Sequence, residues 1–284
     1  MTIAVTGATG HLGALIIDRL LETEAPGEIV AVVRDPAKAS APADRGVRVR
    51  TAAYADRAAL EQAFVGVDTL MFVSSSEAGQ RVEQHRAVVD AAVAAGVGRV
   101  VYTSVPRATS TRLVLAPEHK FTEEYLTASG LPFTILRNNW YTENYLGLIE
   151  SARQTGTVVA AAGGGRVASA SRADFAAAAA VVLTTDGHQG RVYELGGDHA
   201  WDYTELAEVV AQIIGAPVTY RSVDVPTLTG ILQGAGLDAP TAGFVAQMDD
   251  DIAHGALAEV TGELSKIIGR PTTPLLEGLR PALG

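Results

Sequence analysis

The 284-residue sequence predicts an α/β fold, a doubly wound parallel sheet followed by a smaller C-terminal α/β lobe. Three observations predict it. Short apolar runs alternate with amphipathic stretches through the first half of the chain. Those runs are nearly continuous Val, Ile, Ala and Leu, as strands are when helices cover both faces of their sheet. A glycine-rich turn, TGATGHLG, separates the first run from the first amphipathic stretch. Such alternation implies right-handed crossovers and a sheet of Rossmann type.

Each element can be justified in order. IAVTG reads as a strand, LGALIIDRLLET as a helix and EIVAVVR as the second strand. In RDPAK, Asp35 stands at a helix cap and Pro36 in the first turn. VRVRTAAY, DTLMFVSS, RVVYTSV and FTILRN are further strands, with GQRVEQHRAVVDAAVAAG and EHKFTEEYLTASG helical between them. After about Glu150 the regularity falls. AAGGGRVASASRADFAAAAAVVLT reads as a glycine loop, a short strand and a small-residue helix. VYELGGDHAWDYTELAEVVAQIIG gives strand, turn and helix, APVTYRSVD another strand, and the remainder is helical with a glycine-rich interruption. The expected division is a nucleotide-binding domain over 1–150 and a smaller substrate lobe over 151–284, with part of 165–200 returning to the main sheet.

Composition bounds the function. The formal charge of 22 − 32 = −10 argues against nucleic-acid binding. With no cysteine, disulfides, thiol catalysis and zinc–thiolate sites are excluded. The longest apolar run, Phe175 to Leu183, is nine residues, about half of the ~18 needed to span a bilayer. MTIAVTG enters a strand directly, without the basic start and cleavage site of a signal peptide. A cytoplasmic chain without a membrane span is expected.

The turn places Gly7, Gly10 and Gly13 between strand and helix. Gly7 permits a sharp turn, Gly10 a close approach by a diphosphate, and Gly13 tight packing of helix on strand. The helix N-terminus offers N–H groups and partial positive charge to phosphates. The second strand runs into Arg34, with Lys38 one helical turn on. NAD binders place an acid near this address. Here a guanidinium matches a 2′-phosphate, which favours NADPH over NADH. Asp35 competes for the ribose but fits the helix cap.

Other strand ends carry polar groups: Ser74, Ser75 and Ser76, then Thr103 and Ser104, then RNNWYTENY over Arg137 to Tyr145. Trp140, one of only two tryptophans, and Tyr141 either contact a flat conjugated ligand or pin the loop as core residues. None of the eight tyrosines is followed by lysine four residues later, so no Tyr-x-x-x-Lys acid is available and no catalytic residue is assigned. Lys120 reads as a solvated helical lysine, and His119 beside it as a candidate proton relay. A quinone spreads the charge that arrives with hydride, and water can protonate the product.

TGATGHLG, VVRDPAK, SSSEAGQR with QHR, LRNNWYTENY, AAGGGRVASASRADFAAAAA and GHQGRVYELGGDHAW together resemble the NAD(P)H:quinone oxidoreductase type 2 proteins, of the NmrA-like, atypical short-chain dehydrogenase/reductase family. The resemblance implies an NADP-binding Rossmann domain, NADPH as cofactor, and direct hydride transfer to a quinone without flavin. It carries over as cofactor contacts Gly7, Ala8, Thr9, Gly10, His11 and Leu12, then Arg34, Ser74 to Ser76, Asn138, Asn139, Trp140, Tyr141, Thr142 and Glu143, and the segment around Ser169, beside Gly13 and Lys38 from the residues themselves. Trp140 and Asn144 are implied as quinone contacts, with Tyr141 a further candidate from its place in the aromatic loop. His11 departs from the glutamine associated with its loop position. Lys120 lies near a lysine of isoflavone-reductase-like relatives, which keeps another carbonyl or enone acceptor open. Competing readings are an NADP(H)-binding redox sensor without turnover and a sugar-nucleotide epimerase, the latter disfavoured by the missing Tyr–Lys pair. A homodimer is compatible with all of them.

Overall fold

The computed structural model describes residues 1–280. In chain order its elements are β1 (Ile3–Thr6), α1 (His11–Leu20), β2 (Ile29–Val33), α2 (Ser40–Asp44), β3 (Arg48–Thr51), α3 (Arg57–Ala63), β4 (Thr69–Phe72), α4 (Arg81–Ala94), β5 (Arg99–Ser104), α5 (Ala116–Ala128) and β6 (Phe133–Asn138). There follow α6 (Leu146–Thr155), β7 (Thr157–Ala160), β8 (Arg166–Val167), α7 (Arg172–Thr184), β9 (Val192–Leu195), β10 (Trp201–Asp202), α8 (Tyr203–Ile214), β11 (Thr219–Ser222), α9 (Val225–Gly234), α10 (Ala239–Ala253), α11 (Glu263–Ile268) and α12 (Leu275–Leu279). The chain forms two compact units. The first takes 1–109, 117–138 and 172–194; the second takes 110–116, 139–171 and 195 onward.

The first unit is the expected α/β fold. Its sheet has seven strands in the order β3-β2-β1-β4-β5-β6-β9. β1 pairs in parallel with β2 on one side and β4 on the other, and the sheet continues in parallel through β3, β5 and β6. β9 joins beside β6: the bonds Ile135 N–H to Arg191 O and Asn139 N–H to Leu195 O advance in step along both strands. Strand order reverses at β1, and ligands of such sheets bind past the carboxyl ends of the strands at that reversal. β1, β2 and β4 are buried at every residue because helices cover both faces. β3 is the edge strand and carries Arg48 and Arg50, charges that discourage further strand addition. Arg50 also donates to the carbonyls of Ala63 and Val65, tying the edge to the end of α3. Phe64, Phe72, Leu60, Leu70 and Tyr102 centre the core on one face. On the other, α7 packs on α1, its alanine run allowing close approach.

RDPAK is a 3-10 turn over Pro36–Ala39 rather than an α-helix start, but Asp35 caps it as expected, accepting the Ala37 N–H. The second unit holds two small two-stranded sheets, β7 with β11 in parallel and β8 with β10 antiparallel. Asp202, Asp224 and Asp238 cap α8, α9 and α10. Among the described residues no helix is long and apolar enough to cross a membrane.

Candidate functional site

The glycine turn has the geometry its spacing predicts. Gly7 is left-handed, with φ of 58°. A side chain at Gly13 would collide with the Gly7 carbonyl oxygen and stand 2.9 Å from the Gly7 carbonyl carbon. A side chain at Gly10 would stand 3.1 Å from the same oxygen. Thr9, Gly10 and His11 are exposed, whereas Ala8, Leu12 and Gly13 are buried. Gly10 caps α1 without a side-chain bond to the first-turn amides, and that turn carries no acid. These amides and the helix dipole fit a diphosphate, the group a dinucleotide brings. A residue that the sequence reading did not single out supports the turn from below. Tyr54 donates to Thr6 Oγ1 at 2.7 Å and lies 2.6 Å from Val73 O, bracing the ends of β1 and β4. Its only sequence signal was a tyrosine shortly past the third strand.

Arg34 and Lys38 are exposed, as a 2′-phosphate reader requires. Arg34 Nη1 donates to Glu77 Oε1 at 2.8 Å. Glu77 also went unnoticed in sequence, because its partner is 43 residues away.

The serines after β4 are less free than their sequence suggests. Ser74 N–H donates to Thr103 Oγ1 at 2.8 Å. Ser75 N–H donates to His85 Nε2 at 2.9 Å, its hydroxyl to Gln84 Oε1, and its carbonyl accepts from Arg81 Nε. The first turns of α4 thus hold this loop. Since His85 Nε2 accepts, its proton sits on Nδ1 and faces Thr122 Oγ1 at 2.8 Å; the Thr122 hydroxyl passes on to Glu118 O. Tyr102 is fully buried, its hydroxyl 2.8 Å from His119 Nδ1. Burial first, then nearby His119 and Arg81, push His85 down to about 2. Burial and Arg81 push His119 down to about 3. Both imidazoles are neutral, and burial raises the Tyr102 phenol far above its ordinary range. Lys120 points to solvent, 3.9 Å from Glu124.

Past β5 and β6, Arg137 makes a two-pronged bond to Glu123 (Nε to Oε1 2.9 Å, Nη2 to Oε2 2.6 Å) and a third bond to Glu194. The Ser104 hydroxyl donates to Glu123 at 2.6 Å. Glu194 accepts the N–H of Arg107, whose backbone has φ of 47°. Asn138 Oδ1 is buried without a hydrogen-bond partner among the described residues. Such an acceptor costs about 1–3 kcal/mol, which a ligand N–H would recover.

In the second unit the Asn139–Tyr145 segment is pinned by chain around Ser169. Tyr141 bridges Ala170, Thr142 N–H donates to Ala170 O, and Ala170 N–H donates to Trp140 O. Asn139 spends its side chain on Trp140 N–H and Leu257 O. Ser169 Oγ accepts from Trp201 Nε1 at 2.9 Å and lies 3.0 Å from Thr142 Oγ1. Asn139, Thr142 and Ser169 are therefore buried and internally bonded, whereas Trp140, Tyr141 and Glu143 are partly exposed and Asn144 exposed. Of the two tryptophans, Trp201 is the core residue.

The molecule can be placed among known proteins. Quinone oxidoreductase 2 of Escherichia coli (strain K12) is 47% identical over 277 residues, covering 98% of this chain and 97% of that protein. A structure of the NADPH-dependent quinone oxidoreductase of Escherichia coli complexed with NADPH matches with a TM-score of 0.97 at 46% identity, covering 100% of both chains. Citrobacter sp. triphenylmethane reductase complexed with NADP(H) matches with a TM-score of 0.95 at 37% identity, covering 99% of this chain and 100% of that one. The model of the NmrA-like family matches residues 1–259, and the chain belongs to that family.

Proposed function

We infer that this chain is an NADPH-dependent quinone oxidoreductase that transfers hydride directly, without flavin. The observation that carries the reading is the 47% identity to the Escherichia coli quinone oxidoreductase over nearly the whole of both chains. The glycine turn, the exposed Arg34 and Lys38, and the unpaired Asn138 acceptor fit NADPH chemically.

The proposed cofactor contacts are Gly7 to Gly13 for the diphosphate, Arg34 and Lys38 for the 2′-phosphate, Ser74 to Ser76 for the ribose region, and Asn138 to Glu143. Since Asn139, Thr142 and Ser169 already spend their side chains internally, any share they take falls to their main chain or to the shape they impose. Trp140, Tyr141 and Asn144 are the proposed quinone contacts. When bound, NADPH supplies a hydride. The quinone takes that hydride and one proton from water and leaves as hydroquinone. The chain's own residues bind and orient; Tyr102 and Ser104 donate no proton to the acceptor, because their hydroxyls are already committed within the first unit. The proposed setting is the cytoplasm, in keeping with the absence of cysteine, and the charge of −10 opposes a nucleic-acid partner.

The test is NADPH consumption with a panel of simple quinones and triphenylmethane dyes, on the wild type and Trp140→Ala. Quinone-dependent oxidation that falls at least about tenfold in the variant, with NADPH affinity retained, is expected for loss of an aromatic positioning surface. NADPH binding without acceptor-dependent oxidation would favour the redox-sensor reading instead.

A further inference from the structure

We propose that Glu77 is a specificity-determining residue: its carboxylate occupies Arg34 where the cofactor's 2′-phosphate must bind, and so restrains the preference for NADPH over NADH. The proposal rests on the reading of Arg34 as the 2′-phosphate partner.

Topology makes the pair informative. Arg34 follows β2 and Glu77 lies in the loop after β4, and these two strands flank β1. The Arg34–Glu77 ion pair at 2.8 Å therefore spans the carboxyl end of β1, the strand whose glycine turn fits the diphosphate. An ion pair between two flexible exposed side chains contributes little. This one is asymmetric. Glu77 is fixed: Oε2 accepts from Gln84 Nε2 at 2.7 Å, and its N–H donates to Ser75 Oγ at 3.1 Å. Ser75 is in turn held by His85, Gln84 and Arg81. Arg34 is the movable partner, its side chain 76% exposed.

The chemistry of exchange follows. A 2′-phosphate carries more negative charge than one carboxylate and matches the guanidinium fork with paired acceptors. It takes Arg34 from Glu77, while Gln84 keeps the displaced carboxylate in place, close to the new anion. The 2′-hydroxyl of NADH makes no such demand and leaves the ion pair intact. NADPH and NADP+ thus bind against a built-in anion that NADH does not meet, and the carboxylate is positioned to take Arg34 back when NADP+ departs.

The experiment is equilibrium titration of NADPH, NADP+ and NADH, without quinone, against wild type, E77Q, E77A, R34A and the R34A/E77Q double variant. Removing one charge close to a phosphate in a mostly aqueous site should tighten NADPH and NADP+ by about three- to tenfold. NADH affinity should move by less than about twofold, since its 2′-hydroxyl carries no charge. E77A guards against a bond made by the new amide in E77Q, and both must tighten NADPH. The double variant should bind NADPH more weakly than E77Q, since the guanidinium is gone, yet no more weakly than R34A, since the repelling carboxylate is gone too. Unchanged or weakened NADPH binding in E77Q and E77A, with a selective NADPH loss in R34A, overturns the role of Glu77 and leaves the Arg34 reading standing. An unchanged NADPH-to-NADH ratio in R34A overturns the Arg34 reading, and this proposal with it.

Discussion

Gly13→Ala separates a glycine needed for packing from one needed for ligand approach. The added methyl would meet the Gly7 carbonyl oxygen well inside contact distance, the Gly7 carbonyl carbon at 2.9 Å and Ala8 Cα at 3.0 Å. All three atoms are backbone of the turn itself, so no rotamer change relieves the clash. Either α1 slides along its axis or the turn opens, by a displacement on the order of 1 Å. Overpacking of this kind costs about 1–3 kcal/mol, and the gain in helix propensity from Gly to Ala returns about 1 kcal/mol. A net loss of up to about 2 kcal/mol is expected. The effect on NADPH should be larger, at least about tenfold in Kd, because the displaced atoms carry the amides proposed to face the diphosphate. Gly10→Ala is the first control. Its methyl would lie 3.1 Å from Gly7 O, a tight contact relieved by a shift of a few tenths of an ångström, so the stability loss should be smaller than in Gly13→Ala; Gly10 is exposed, and the methyl would stand where the diphosphate is proposed to approach. Gly147→Ala, within α6 and with nothing within 4 Å, is the second and should be stabilised by about 0.5–1 kcal/mol. Urea denaturation gives stability, and quenching of nicotinamide fluorescence gives affinity. A Gly13→Ala protein as stable as Gly147→Ala that binds NADPH within about twofold of wild type would refute the close-approach argument.

Two further outcomes follow from buried groups. His85 and His119, held neutral by burial with values pushed down to about 2 and about 3, lie below the ~6.5 of an unfolded chain. The unfolded state therefore takes up protons that the folded state refuses. The stability they protect is whole above about pH 6.5 and falls as pH drops, by up to ~1.4 kcal/mol per unit for each ring. Half-buried Asp249, pushed up to about 6 by desolvation, acts in the opposite sense between about pH 6 and 4 and offsets one of them. Urea midpoints should report a net loss of about 3 kcal/mol between pH 7.5 and pH 5, less steep in His85→Gln; a flat profile would contradict burial of the two rings. Tyr102→Phe leaves the His119 ring without its 2.8 Å partner, so stability should fall by about 1–3 kcal/mol. Turnover with quinone should stay within about threefold of wild type, and a collapse of kcat in a folded variant would restore Tyr102 to the chemistry.

What the sequence made legible was local. The strands of the main sheet and the order of the glycine turn follow from apolar runs and from spacings of three residues. Asp35 was readable as a cap because its bond reaches only two residues, although the turn it caps proved to be 3-10. The partnerships that shape the strand ends were not legible. Arg34 with Glu77, Arg137 with Glu123 and Glu194, and Tyr54 with Thr6 span 14 to 57 residues. Each depends on which strands become neighbours and in what register, and no single window of sequence contains that. The serines illustrate the difference. As a string, Ser74 to Ser76 is a row of free hydroxyls; in the fold, Ser75 is bonded through its N–H, its side chain and its carbonyl. Trp140 and Trp201 are likewise equivalent in composition, and only packing makes Trp201 the buried member.

The strand ends of the first unit also bear on why a tyrosine–lysine pair is dispensable. Protons there are committed inward. The Ser104 hydroxyl is spent on a carboxylate that Arg137 already grips with two prongs, an ionic acceptor that holds it firmly. Tyr102 lies against His119, and His85 spends its proton on Thr122 and its lone pair on the Ser75 amide. Drawing any of these toward a ligand would strand a buried partner, at about 1–3 kcal/mol for each broken bond. An acceptor that must localise charge on one oxygen would impose that cost at the top of its barrier. A quinone does not, because the incoming charge spreads over the ring to the far carbonyl and water completes the protonation. What such an acceptor does require is alignment, and orientation alone reaches effective molarities of about 10⁵–10⁸ M. A network that fixes the loops while withholding its protons is suited to that demand and ill suited to an alcohol dehydrogenase.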